Sequence, residues 1–234
     1  MTVKKDKTKQ TDAKPESRRE RRKRETRERL MRAAMTLMAT VGKEGAVINQ
    51  ITEAADVGFG SFYNHFESKE DIYNQLAYES LNSLAETLNQ IAETTDDPAE
   101  VMAASIRHAM HRIIQDPVWG RFVIRLSYSP QVFSQSSGQY FLRDVQKGMV
   151  TGRFKASDPM MAIIAVSGTL LSAAAMAVEL AQGDETVPAG PTAPLFFDKE
   201  QLPERTAAMV LRILGMDEAD VIEVANRPLP EIEI

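Results

Sequence analysis

From Leu30 the apolar residues Leu30, Ala33, Ala34, Leu37, Met38 and Val41 recur at intervals of three and four, which is one face of a helix, and Gly42 and Gly45 are expected to stop it. A short helical pattern follows on Ile48, Ile51, Ala54 and Ala55. Asp56-Val57-Gly58 then reads as a turn, and Phe59 to Phe66 as a further short helix. Ser68-Lys69-Glu70-Asp71 has the form of a capping box: a hydroxyl able to accept from the first turn, with acids facing the positive end of the macrodipole. The stripe that follows, Ile72, Leu76, Leu84, Leu88 and Ile91 with Tyr73, Ala77 and Leu81 beside it, predicts a long helix to about Thr94.

Prolines mark the next starts. Asp97-Pro98-Ala99-Glu100 supplies an N-cap, a proline in the first turn and an acid, and predicts a helix over about 98–115 on Met102, Ile106, Ala109 and Ile113. Asp116-Pro117 repeats the signal ahead of Trp119, Phe122, Val123 and Leu126, and Asp158-Pro159 opens the uncharged run 160–178. A polar loop around 134–138 precedes a helix over about 139–151. A last major helix, capped by Asp198 to Gln201, carries Leu202, Thr206, Met209, Val210, Ile213 and Leu214 and closes at Gly215. Strand alternation is absent from this pattern, so the fold class is all-α with about nine helices.

Composition adds one asymmetry. The 234 residues carry a net charge of −5, yet residues 1–32 hold 14 Lys/Arg against 6 Asp/Glu, while everything after them is acidic. Residues 1–17 hold almost nothing apolar and are expected to be a disordered basic arm, and the basic stretch from Lys4 to Arg32 is read as a solvated tail, a minor-groove arm or a membrane-surface helix. The chain begins without an apolar leader and has no cysteine, so a cytoplasmic setting is expected and thiol chemistry is excluded. The run Met160–Val178 approaches the length of a membrane span, but its serines, glycine and many alanines suit close helix packing in a soluble core or dimer interface better.

Three short helices within residues 27–66, the last two joined by a tight turn, are the layout of a helix-turn-helix DNA reader, whose final helix fits the major groove. The residues Ala33-Ala34, Ile51-Thr52-Glu53-Ala54-Ala55-Asp56-Val57-Gly58-Phe59-Gly60-Ser61-Phe62-Tyr63-Asn64-His65-Phe66 and Ser68-Lys69-Glu70-Asp71-Ile72 strongly resemble the TetR family of bacterial one-component repressors. The resemblance covers about 45 residues and fixes turn, helix and cap together. It departs from the family pattern at Ala46 and Val47, where a hydroxyl cap is usual, at Asp56 in place of a turn glycine, and at Gly58-Phe59 in place of a polar start to the recognition helix.

The resemblance implies phosphate contacts from Tyr63, His65 and Lys69. It also implies base contacts from Asn49, Phe59, Gly60 and Ser61, with Gln50 beside them at the start of the second helix. Phe59 cannot hydrogen-bond a base edge and would meet a thymine methyl. It further implies a DNA-binding domain over 18–68, a ligand-binding and dimerisation domain over 69–215 and an acidic tail with a short helix over 216–234. The helices at about 159–181 and 199–214 would pair with their copies in a homodimer on a palindromic operator, because two recognition helices must reach major grooves roughly 34–36 Å apart. A small-molecule effector, apolar or aromatic, would sit among Trp119, Phe122, Tyr128, Phe133, Tyr140 and Phe141, although each of these also suits an ordinary core. Binding would shift the helix over 69–93 and release the DNA. The loop 183–198 would fold Leu195-Phe196-Phe197 over the pocket or interface.

Other functions have less behind them. An effector-independent architectural DNA-binding protein remains the alternative. An enzyme is not expected, since the chain has no phosphate loop, nucleophile elbow, zinc signature or placeable carboxylate pair. Cofactors and metals are not expected either: His108 and His111, three apart near Asp116, lack a further ligand at fixed spacing.

Overall fold

The computed structural model describes residues 16–127, 136–181 and 201–231, and among these it contains ten α-helices. The first, α1 (Arg18–Gly45), begins twelve residues before the apolar stripe does. Ser17 makes this possible. Its hydroxyl accepts from Glu20 N at 3.2 Å, and Glu20 Oε2 accepts from Ser17 N at 2.8 Å, closing a capping box on an otherwise polar start. The basic run therefore rides on a helix, laced by Arg21–Glu25 and Arg24–Glu28 pairs one turn apart.

Gly42 kinks α1 rather than ending it, at φ 79°, and the helix resumes to Gly45. A kink strands carbonyls that the next turn would have bonded. The guanidinium of Arg125 takes two of them, donating from Nε to Ala39 O at 2.9 Å and from Nη2 to Thr40 O at 3.0 Å.

Two short helices complete the N-terminal unit, α2 (Ile48–Ala54) and α3 (Phe59–Phe62). Regular α-helix ends at Phe62. The chain then closes in tighter bonds, Asn64 N to Ser61 O and His65 N to Phe62 O, so the expected helix to Phe66 is one α turn plus a turn. Asp56 sits at φ 51°, alone among described non-glycine residues in the left-handed region, in the place where the family pattern has glycine. Arg29 Nη1 donates to the Asp56 carbonyl at 3.4 Å, tying the turn to α1. Asp56→Val should lower stability by about 1–2 kcal/mol, because a branched side chain lacks the local polar tolerance of Asp there, whereas Asp56→Gly should be close to neutral. Urea unfolding midpoints of the two variants check this.

The body is built from α4 (Lys69–Thr94), α5 (Pro98–Gln115), α6 (Pro117–Ser127), α7 (Ser136–Val150), α8 (Pro159–Ala181), α9 (Leu202–Ile213) and α10 (Glu218–Ala225). Ser68 caps α4 by accepting from Asp71 N at 3.1 Å, and Asp97 caps α5 by accepting from Ala99 N at 2.9 Å. The helix α5 is central, buried from Ala99 to Ile113, with α9 and α8 against it. Expected as a tail element, α10 instead packs on α9 and α5 and buries Val221, Val224 and Ala225. Its acidic residues lie on the outer side, so net charge concealed an amphipathic helix.

Among the described residues two large hydrophobic cores and a small third cluster of Ile91, Val101 and Ala104 result, and α6 belongs to both large ones. Phe122 and Leu126 join Leu30, Met38, Phe62 and Phe66 in the N-terminal core, while Trp119 and Val123 join the body. The helix α8 buries Val166, Ala174, Ala177 and Val178 inward and leaves Met160, Met161 and Ile164 exposed. Its length and apolar composition would also pass for a membrane span, with 28% of the most apolar window buried here. Residues 1–15 and 182–200, which include the basic arm and the loop 183–198, lie outside the described residues.

Candidate nucleic-acid interface and effector cavity

The short α3 divides its aromatic side chains between two environments. Phe62 and Phe66 are fully enclosed in the N-terminal core, while Phe59 and Tyr63 stand 51% and 53% exposed. The outer pair meets edge-on, ring centroids 5.6 Å apart, and Tyr63 also rests edge-on against Phe62 at 5.4 Å. The phenol of Tyr63 is thus positioned by contact with a buried ring yet open to a partner. Nothing crowds Gly60, and Ser61 is half-buried beside it. Asn49 and Gln50 are exposed in the first turn of α2, which starts from Val47 without a side-chain cap, as its lack of a hydroxyl requires.

Cations gather around this face. His65 is half-buried, and burial together with the positive charges of Lys23 and Arg27 holds its pKa below the ordinary histidine value. Arg27 lies over the Phe66 ring at 5.5 Å and donates to Gln75 Oε1 at 2.6 Å, joining α1 to α4. Lys69 donates to Glu44 O at 3.4 Å and stands 4.0 Å from the Glu44 carboxylate, a long pairing whose acidic partner is open to water and easily exchanged for another anion. The eight DNA-contacting residues expected from the sequence therefore all fall in the segment from the start of α2 to the start of α4, on or beside this face.

His108, on α5, is also held below its ordinary value, first by burial and then by the neighbouring His111. Both depressed histidines bind fewer protons folded than unfolded, so their contribution to stability is full above about pH 6.5 and is lost as the pH falls toward their native values. The melting temperature should accordingly fall on acidification through that window, and His65→Gln should flatten the fall; calorimetry across pH checks both.

A cavity of about 230 Å³ lies within the body, walled by α4, α5, α6, α7 and α8. Leu84 and Leu88 of α4 face it, which is where the lower half of that helix's apolar stripe goes. Of the aromatic residues expected to line it, Trp119 and Phe141 do. Phe122 does not: it points to the N-terminal core, edge-on to Tyr73 at 6.0 Å. Tyr140 is also off the wall, stacked under the Arg143 guanidinium at 4.7 Å. Periodicity finds an apolar face but not which of two cores receives it. Tyr128 and Phe133 lie outside the described residues.

The wall holds polar groups that the sequence did not single out. Ser127 and Ser167 donate to carbonyls of their own helices, at Val123 and Ile163. Ser105 Oγ and Trp119 Nε1 are buried without a partner, and the buried Asp144 carboxylate borders the same space. Only the packing of helices distant in sequence brings these groups together. Arg112 covers the Trp119 ring at 4.0 Å, and burial lowers its pKa.

A family model described as bacterial regulatory proteins, tetR family, matches residues 30–76, and one described as tetracyclin repressor-like, C-terminal domain, matches 97–227. The transcriptional repressor DhaR of Mycobacterium sp. (strain GP1) is 39% identical over 61 residues, 26% of this chain and 31% of that protein. The repressor KstR2 of Mycolicibacterium smegmatis is 27% identical over 138 residues, 55% of this chain and 67% of that protein. The match to DhaR thus spans less than a third of that repressor. The crystal structure of RolR in complex with resorcinol is 34% identical at a TM-score of 0.62, covering 91% of this chain and 99% of that one.

Proposed function

The chain belongs to the TetR family of bacterial regulatory proteins, and from that premise we propose that it is a cytoplasmic, homodimeric repressor released from a palindromic operator by a small aromatic effector. The observation that carries this reading is the double role of α6. One face of that helix walls the cavity through Trp119 and Val123, and the other holds α1 through Phe122, Leu126 and the Arg125 cap. A ligand that displaces α6 therefore displaces α1, on which α2 packs and in turn carries α3, and α4, which shares the cavity wall, moves with them.

Switching requires the ligand to bind the released pose more tightly than the DNA-bound one; equal affinity would shift nothing. The aromatic wall and the resorcinol complex of RolR support an aromatic effector. Dimerisation is supported by the exposed apolar side of α8, where Met160 is 68% exposed, with Met209 on α9 nearby in the interface expected from the family. Each protomer presents one α3, so groove spacing asks for two.

Selection of bound sequences from a random duplex pool tests the reading. The expected result is a twofold-symmetric site bound by a dimer and vacated on adding an aromatic effector. A protein that stays monomeric at micromolar concentration, or binds all duplexes alike, overturns it, and symmetric binding that no ligand relieves would favour the architectural alternative.

A further inference from the structure

We infer that the cavity selects a single-ring aromatic bearing a neutral hydroxyl, and that Asp144, Ser105 and Trp119 read that hydroxyl; this rests on the cavity being the effector site. Ser127 and Ser167 donate their protons to carbonyls of their own helices, so among the described wall residues Ser105, Trp119 and Asp144 are the polar groups with unspent capacity to orient a ligand. Ser105 Oγ and Trp119 Nε1 have no partner, and a buried unpaired donor is a standing cost that a fitting ligand removes. Among the described residues the Asp144 carboxylate receives a hydrogen bond from Arg143 Nε, 2.8 Å from Oδ1, and nothing from the cavity side.

Their chemistries are complementary in a way that narrows the ligand. An indole N–H only donates, a carboxylate oxygen only accepts, and a serine hydroxyl does either. A hydroxyl within reach of these groups can accept from Trp119 and donate to Asp144. An ionised carboxyl group could accept but not donate, and would set one anion against another. A methyl group could do neither, and an ammonium could not accept. Size agrees with this: a cavity of roughly 150 Å³ holds benzene, so 230 Å³ has room for one ring with one or two substituents.

Trp119 is the single tryptophan of the chain, so its fluorescence reports the cavity directly. Full-length protein titrated with phenol, toluene and benzoate should bind phenol about tenfold more tightly than toluene, and benzoate more weakly than either. In Asp144→Asn, phenol should lose about tenfold while toluene is unchanged and benzoate improves. Toluene binding also shows that the variant is folded. Equal binding of phenol and toluene by the wild type, benzoate binding as tight as phenol, or an Asp144→Asn variant that weakens all three alike would overturn hydroxyl selection and leave the effector reading standing. Saturable binding of none of the three by the wild type would overturn both.

Discussion

Tyr63→Ala is expected to weaken operator binding at least a hundredfold while changing folding stability by no more than about 1 kcal/mol. The phenol is half-exposed and meets Phe59 and Phe62 edge-on, so truncation leaves the core filled by Phe62 and Phe66. A hydrogen bond to a charged phosphate oxygen contributes about 1.5–3 kcal/mol, and a symmetric dimer loses it twice. Tyr63→Phe separates ring from hydroxyl and should keep most of the stability but little of the affinity. The loss should not alter the salt dependence, because tyrosine releases no counterion. Lys69→Ala should show the contrasting pattern of a shallower salt slope. Fluorescence anisotropy with operator DNA over a range of salt, beside thermal melts, measures both, and unchanged affinity in Tyr63→Ala would remove Tyr63 from the interface.

The second large effect concerns Gly148→Ala, which should cost about 3 kcal/mol, near the upper end of overpacking in a filled core. A methyl carbon placed there would sit 2.0 Å from the Phe154 ring, and three ring atoms lie within 2.7 Å of it. Phe154 cannot step aside: it is buried in the body core and its N–H donates to Gly148 O at 2.9 Å. The strain must then move α7, and Gly138, Phe141 and Asp144 of that helix wall the cavity. The melting temperature should drop by about 6–12 °C for a chain of this size, and phenol binding by Trp119 fluorescence should weaken with it. A variant that melts like the wild type would show that α7 and Phe154 can separate freely.

Much of this was readable from side-chain chemistry along the chain. Prolines and acids at 97–100, 116–117 and 158–159 mark the starts of α5, α6 and α8, because the first turn tolerates proline and welcomes negative charge. Asp56 reads as a turn residue standing where the family pattern has glycine, and its φ of 51° is one that glycine adopts freely. What escaped the sequence depends on tertiary packing. Gly42 could be a stop or a kink, and the contact from Arg125, 83 positions later, makes it a kink. Phe122 and Trp119 lie three apart on one helix with equal claims on a pocket, yet they enter different cores. Ser105 and Asp144 carry no local signature and become notable only when five helices close around the same space.

The helix α6 closes the base of the N-terminal core with Phe122 and Leu126 and ties off the bent end of α1 with Arg125. The three helices at the amino end are consequently not a portable head. Cut out at Phe66 and grafted elsewhere, they would expose a greasy floor and two bare carbonyls, so a chimera that exchanges DNA preference between relatives must carry the sixth helix along with the first three.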